Sequence, residues 1–372
     1  MKVGIPAEIK NNESRVGITP IGVKELTSAG HTVVVEKGAG LNSGITDEEY
    51  IAAGAKMGSV EEAWDVDMVV HVKEPQPAEF KYFKKGLILY TYLHLAPEPE
   101  LTQALQDSGV VGIAYETVQE TDGSLPLLAP MSEVAGFRAA IIAATWQEKH
   151  RGGNGILLSG VTGTPKGKVV VIGAGVAGMN AAKQALGLGA RVTILDINLH
   201  KLKFIDDVFP EMQTLYSSEH NIAEELKDAD AVISTVLIPG YAAPKVVKEY
   251  MVKAMKPGSI IVDVAIDQGG SVETIDHATT HDDPVFEKFG VNHYSVANMP
   301  GTTARTSTYA LTNACLRYMM ALAKDGIKAC LTYPALLKGV NTIDGKVTFP
   351  GVAEALNKEC YDAKAIIERL VK

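Results

Sequence analysis

Three polar side chains stand where short apolar runs end, and their types suit acid–base chemistry on a small charged substrate. The stretch E-I-K-N-N-E-S-R-V-G-I-T-P at 8–20 places Arg15 in a polar loop, between an apolar run and a helix that Thr19-Pro20 would start. A planar guanidinium matches a carboxylate through two parallel hydrogen bonds, although a solvated surface arginine fits the same spacing. In V-V-H-V-K-E-P at 69–75 a strand ends with Lys73 before proline stops it. Ligands gather at the carboxyl ends of strands in open α/β sheets, while a lysine that merely shields a strand end has the same pattern. The run Y-T-Y-L-H-L-A-P at 90–97 repeats the arrangement with His94 in an apolar setting. Imidazole titrates near neutrality and is the default proton-transfer group; a hydrogen-bonded structural histidine is the competing reading.

Residues 168–196, K-V-V-V-I-G-A-G-V-A-G-M-N-A-A-K-Q-A-L-G-L-G-A-R-V-T-I-L-D, order a strand, a glycine turn, a helix and a second strand ending in an acid. That is the dinucleotide fingerprint: Gly173 for the tight turn, Gly175 for close approach of a pyrophosphate to bare backbone, Gly178 for helix–strand packing. The helix N-terminus favours the phosphates, and Asp196 suits the adenosine ribose hydroxyls. A 2′-phosphate would be repelled there, so NAD is expected over NADP, with Lys201 as a nearby cation that could partly accept such a phosphate. FAD and purely regulatory nucleotide binding fit the same fingerprint. Further on, V-D-V-A-I-D-Q-G-G at 262–270 ends a strand with Asp267 beside a Gly-Gly turn. A carboxylate there could orient a substrate amine or a nicotinamide, or simply brace the turn.

The elements that must position these groups read as α/β throughout. K-V-G-I-P, H-T-V-V-V-E, D-M-V-V-H-V, G-L-I-L-Y-T-Y-L and V-V-G-I-A-Y-E alternate with helical stretches before the fingerprint, which predicts a parallel sheet of their own. Strands recur at R-V-T-I-L-D, A-V-I-S-T-V, S-I-I-V-D-V and H-Y-S-V. Residues 131–150 form a long apolar-periodic helix leading through R-G-G-N-G into the second domain, and T-S-T-Y-A-L-T-N-A-C-L-R-Y-M-M-A-L-A-K-D-G forms another ending at Gly326. A remaining helical tail could return to cover the first domain. The expected fold is therefore two Rossmann-like, doubly wound parallel-sheet domains: a substrate domain of residues 1–130 and 306–372, and a nucleotide domain of residues 131–305 inserted into it, with its ligand in the cleft.

Bulk composition narrows the function classes. With 372 residues, two domains are the prior. Hydrophobic residues make up 46% and charged residues 21%, and no apolar run approaches the roughly 18 residues a membrane helix needs. The start M-K-V-G-I-P-A-E reads as a strand and not a signal segment, so a cytoplasmic location is expected. Net charge −9 without a basic tract argues against nucleic acid as a partner. Cys315, Cys330 and Cys360 lack C-x-x-C or Cys/His grouping, so neither a disulfide framework nor a metal site is indicated.

Taken in order, these motifs resemble the bacterial L-alanine dehydrogenase family over essentially the whole chain. The resemblance is carried by E-I-K-N-N-E-x-R-V at 8–16, V-K-E-P at 72–75, T-Y-L-H-L-A at 91–96, P-M-S-E-V-A-G at 130–136, G-A-G-V-A-G at 173–178, D-I-N at 196–198, D-x-A-I-D-Q-G-G at 263–270, V-A-N-M-P-G at 296–301 and R-T-S-T-Y-A-L-T-N-A at 305–314. It implies that Arg15 and Lys73 bind a substrate carboxylate and that His94 and Asp267 are the catalytic pair. It implies NAD contacts at Ser132, Gly173, Gly175, Val176, Ala177, Gly178, Asp196, Lys201, Ser217, Val236, Leu237, Ala265, Ile266, Asp267, Val296, Ala297, Asn298 and Met299, and a homohexamer. Departures fall at Gly160-Val161-Thr162-Gly163-Thr164-Pro165, at Thr302-Thr303-Ala304 and at His277, where the family usually has G-V-P-G-V, A-V-P and an arginine.

The implied activity is reversible oxidative deamination of L-alanine to pyruvate and ammonium. A related dehydrogenase acting on saccharopine, lysine or opine-like secondary amines would share Arg15 and Lys73. A non-catalytic NAD-binding module of transhydrogenase type would leave His94 idle.

Overall fold

The computed structural model describes residues 1–236 and 243–372. The chain divides into two compact units, Met1–Met131 with Gly301–Lys372, and Ser132–Pro300. Their strands, in chain order, are β1 (Lys2–Ile5), β2 (Thr32–Glu36), β3 (Lys56–Gly58), β4 (Met68–Val70), β5 (Ile88–Thr91), β6 (Val111–Ala114), β7 (Lys168–Ile172), β8 (Arg191–Asp196), β9 (Gln213–Tyr216), β10 (Ala231–Ser234), β11 (Ile260–Asp263), β12 (Val285–Lys288), β13 (Val291–Tyr294), β14 (Val340–Ile343) and β15 (Lys346–Val347).

In the first unit the sheet order is β15-β14-β6-β5-β4-β1-β2-β3. Strands β1 to β6 pair in parallel, and the winding direction reverses between β1 and β4. Their side chains feed two cores because successive residues point to opposite faces: Val3, Ile5, Met68, Val70, Ile88 and Tyr90 enter one, Val69 and Leu89 the other. Helices covering both faces explain why these strands read as continuous apolar runs.

The second unit repeats the plan with order β12-β13-β11-β10-β7-β8-β9, reversing between β7 and β10. Val169 and Val171 enter one core, Val170 and Ile172 the other.

Several sequence expectations need correction. Neither sheet is purely parallel, because β14 lies antiparallel to β6 and β15, and β12 antiparallel to β13. The C-terminal tail thus contributes two strands, of which β15 forms the edge, as well as helices; β14 is only four residues and carries Asn341 and Thr342, too short and polar for its pattern to announce a strand. The first long helix is Ala129–Thr145, with a separate 3₁₀ turn at Lys149–Arg151. The strand expected at H-Y-S-V is centred earlier, on β13. Strand β4 stops at Val70 and β11 at Asp263, so Lys73 and Asp267 occupy the loops beyond them.

Two local signals act as read. Thr19 caps the helix Pro20–Ser28 with proline in its first turn, and the helix Ala304–Asp325 stops at Gly326, whose φ is 60°. That second helix also fixes the Arg15 loop: Thr308 Oγ1 accepts from the Val16 N–H at 3.2 Å and Thr312 Oγ1 from the Thr19 N–H at 3.1 Å. Among the described residues no helix is long and apolar enough to cross a membrane, and the three cysteines are free.

Candidate active site

The reversal between β1 and β4 sends their following loops to opposite faces, and in such sheets ligands bind at the carboxyl ends of the strands beside the reversal. The structure places Arg15 after β1, Lys73 after β4 and His94 after β5 of this one sheet.

Arg15 is only 2% exposed, which overturns the surface reading. A buried guanidinium needs a counter-charge, and Glu13 supplies it: Arg15 Nε donates to Oε1 at 2.7 Å and Nη2 to Oε2 at 2.6 Å, while Nη1 lies 3.0 Å from Met131 Sδ. Burial disfavours the charge, but the Glu13 hydrogen bonds outweigh it and hold the guanidinium above its ordinary range.

Lys73 is 8% exposed, and its Nζ makes no hydrogen bond or ion pair to a protein group among the described residues. Its backbone is held from both sides. Glu8 accepts the Lys73 N–H at 3.1 Å and the Val72 N–H at 2.7 Å, while Thr91 Oγ1 donates to the Lys73 carbonyl at 2.9 Å. Behind this loop His71 lies between Glu8 at 2.9 Å and Glu79 at 3.2 Å, all three buried. Burial works against the charged imidazole, but the two carboxylates hold its affinity for the proton well above the usual range. The adjacent Glu74 is pushed up by burial and pulled further down by Lys73 and Lys10, leaving it below the ordinary carboxylate range. A lysine this buried, on a loop hydrogen-bonded from both sides, is suited to a small anion.

His94 is half-buried rather than in a purely apolar setting, and its backbone sits at φ 47°. Its ring stacks on Tyr92 with centroids 5.9 Å apart and planes at 8°. The Glu116 carboxylate accepts the His94 N–H at 2.7 Å and lies 4.0 Å from Nδ1.

In the second unit the glycine turn has the geometry its sequence required. Gly173 takes φ 98°, and a Cβ on Gly178 would stand 1.7 Å from the Gly173 carbonyl oxygen. Around Gly175 no protein atom would obstruct a Cβ, so the protein keeps that approach clear. Val176 and Ala177 start the helix Val176–Gly187, whose N-cap Gly175 offers the first-turn amides no side-chain acceptor. Asp196 Oδ2 accepts the Ala174 N–H at 2.6 Å and Oδ1 the Asn198 N–H at 2.7 Å, with Lys201 Nζ 3.8 Å away. The acid therefore anchors the turn as well as ending β8. Ser217 follows β9 and donates its backbone N–H to the Asp196 carbonyl at 3.0 Å. Val236 follows Thr235, whose hydroxyl donates to the Ile172 and Gly173 carbonyls at 3.1 Å each. Ser132 lies in the first turn of Ala129–Thr145, and a Cβ on Gly136 of that helix would stand 2.1 Å from the Ala177 carbonyl. Leu237 lies outside the described residues.

Ala265, Ile266 and the exposed Asp267 occupy a 3₁₀ turn and its cap past β11. Asp263 staples this loop at both ends: it accepts the Ala265 N–H at 3.0 Å, the Ser271 N–H at 2.7 Å and the Val272 N–H at 3.2 Å. Gly270 is required there, since a Cβ would come within 2.8 Å of Asp263 Oδ2 at φ 71°. Val296, Ala297, Asn298 and Met299 follow β13, and the Asn298 N–H donates to Asp267 Oδ1 at 3.3 Å, joining the two segments. His277, by contrast, pairs with Asp276 at the surface. No group of His, Cys, Asp and Glu among the described residues could hold a metal.

Sequence reasoning missed Glu13, Glu8, Glu116 and Asp263, the carboxylates that brace the site residues. Only Glu13 and Asp263 had a local signal, being two and four residues from the groups they support.

The comparisons agree over nearly the full chain. Residues 4–135 match the family model "Alanine dehydrogenase/PNT, N-terminal domain" and residues 139–350 the corresponding C-terminal domain. The chain is 58% identical over 359 residues to an alanine dehydrogenase of Methanococcus maripaludis, covering 95% of this chain and 96% of that one. It is 56% identical over 371 residues to an alanine dehydrogenase of Bacillus subtilis, covering 99% and 98%. A solved L-alanine dehydrogenase superposes with a TM-score of 0.93 at 47% identity over 96% of this chain and 99% of its own. A transhydrogenase from Sinorhizobium meliloti superposes with a TM-score of 0.80 at 29% identity, over 94% and 99%.

Proposed function

Because the chain belongs to the alanine dehydrogenase/PNT family, we propose that it catalyses the reversible reaction of L-alanine, NAD⁺ and water to pyruvate, ammonium and NADH. The observation that carries this reading is the convergence of Arg15, Lys73 and His94 on the carboxyl ends of neighbouring strands at the β1/β4 reversal. The first unit is read as the substrate domain and the second as the NAD domain, with Asp196 favouring NAD over NADP.

Bound NAD⁺ would supply the acceptor for the hydride that leaves the alanine Cα. Arg15 and Lys73 clamp the substrate carboxylate, fixing where Cα stands. Neutral His94 removes the proton released by the amine or by the water that adds to the imine, and returns it in the reverse direction. Asp267 holds the amine and stabilises positive charge on the imine carbon and nitrogen. Ser132, the glycine turn, Asp196, Lys201, Ser217, Val236, Leu237, the loop Ala265 to Asp267 and the loop Val296 to Met299 make the NAD contacts. A cytoplasmic location, expected from the composition and the strand-like start, and homohexameric assembly, implied by the motif resemblance, belong to this reading.

NADH formation from NAD⁺ with a panel of L-amino acids at alkaline pH tests it. Alanine is expected to be oxidised in preference to saccharopine and lysine. Turnover of none of the panel, with NADH still bound, would instead leave a nucleotide-binding module of transhydrogenase type.

A further inference from the structure

His94 is a non-glycine residue in left-handed backbone, at φ 47°, a conformation that persists only where its surroundings impose it. It lies three residues beyond the end of β5, where the ladder no longer supplies partners for the chain. The partner that replaces the ladder comes from the next strand. Glu116 stands just past β6, and its carboxylate bridges two successive amides: both oxygens lie 3.3 Å from the Leu93 nitrogen, and Oε1 accepts the His94 N–H at 2.7 Å. The same Oε1 lies 4.0 Å from His94 Nδ1. On the other side Tyr92 stacks parallel to the imidazole, limiting rotation of the ring. A neutral acceptor would satisfy two amides equally well; a carboxylate also gives the Nδ1 side of the ring an acceptor to face. Glu74 and Glu98 also act on the ring through space, but among the described residues neither carboxylate accepts an N–H of the His94 turn as Glu116 does.

We propose that Glu116 is the positioning residue for His94, holding the left-handed turn from which the imidazole projects and drawing Nδ1 toward itself, so that Nε2 is the nitrogen that exchanges protons with substrate. This rests on the reading of His94 as the proton-transfer group. No atom of Glu116 joins the reaction: the proton leaves the amine or water for Nε2, and Nδ1 keeps its own.

The test compares full-length wild type, Glu116→Gln and Glu116→Ala in steady-state alanine oxidation, NADH fluorescence titration and thermal melting. Glu116→Gln still accepts an amide but carries no charge, and its kcat is expected to fall about 10-fold; Glu116→Ala loses both and should fall about 10²-fold, the scale of a small misplacement of a reacting group. The alanine KM and NADH affinity should stay within about twofold, because the proposal gives Glu116 no contact with either ligand. Wild-type kcat in Glu116→Ala would overturn the proposal, as would a joint collapse of NADH binding and melting temperature in both variants. Carbethoxylation of His94 by diethyl pyrocarbonate, followed by peptide mass mapping, needs no turnover. Faster modification in Glu116→Ala is expected, and an unchanged rate overturns the placement. A wild type that binds NADH but leaves alanine unoxidised would overturn the function proposed above and not this arm.

Discussion

Arg15 and Glu13 form a buried two-pronged ion pair, with Nε on Oε1 at 2.7 Å and Nη2 on Oε2 at 2.6 Å. The Nε–Nη2 edge of the guanidinium is thus held by a protein carboxylate two residues away, which fixes the plane of the group. Arg15→Ala should therefore cost stability as well as substrate binding, since it leaves the buried Glu13 without its guanidinium, a loss of about 3–5 kcal/mol for such pairs. Urea melts beside alanine and pyruvate kinetics check this; an unchanged melt would mean that the pair is dispensable to the fold.

Lys73 gives the cleaner test of the clamp, because its ammonium has no protein ion pair among the described residues. Lys73→Met should keep the stem packed and raise the KM for alanine and pyruvate by the equivalent of about 1.5–3 kcal/mol, with NADH binding retained. Lost NADH binding in a folded variant would move Lys73 out of the substrate site.

For His94→Gln, turnover should drop by roughly 10²–10⁴ while NADH affinity and melting temperature change little. Its partial exposure makes unfolding an unexpected outcome. Near-normal turnover in the folded variant would leave Asp267 or a water molecule as the base.

Asp196 holds the Ala174 and Asn198 amides, and in the proposed function it also faces the ribose of NAD. Wild type should use NAD far better than NADP, and Asp196→Ser should narrow that preference while lowering the melting temperature. Equal catalytic efficiency of wild type with both cofactors would defeat the reading.

The buried His293 on β13 is held neutral: its Nδ1 donates to the Val291 carbonyl at 2.8 Å and its Nε2 accepts from Thr274 at 2.7 Å. Burial pushes its pKa down to about 4. A depressed folded value means that the stabilisation is present above the unfolded pKa of about 6.5 and is lost as pH falls toward 4, by at most about 3 kcal/mol. Denaturant melts of wild type between pH 7 and pH 4 should show this loss, and His293→Gln should flatten it. An equal acid slope in both proteins would assign the loss to other groups.

The glycine turn, the helix start at Thr19-Pro20, the stop at Gly326 and the doubly buried strands were legible in the sequence because each depends on consecutive residues. A left-handed φ at Gly173, a close approach at Gly178 or a cap at Thr19 is dictated within a few positions of chain. The places of Lys73 and His94 past apolar runs were legible too, since such runs mark where strands stop, whereas Arg15 lies ten residues beyond β1 in a polar loop whose spacing suited a solvated arginine. What the tertiary structure decided is which of those side chains are buried and what opposes their charge. Glu116 reaches His94 only because β6 lies beside β5, and Glu8 braces Lys73 only because β4 lies beside β1. Strand order sets these meetings, and a linear pattern does not contain it. The same holds for β14, whose four residues become a strand because β6 offers an unpaired edge.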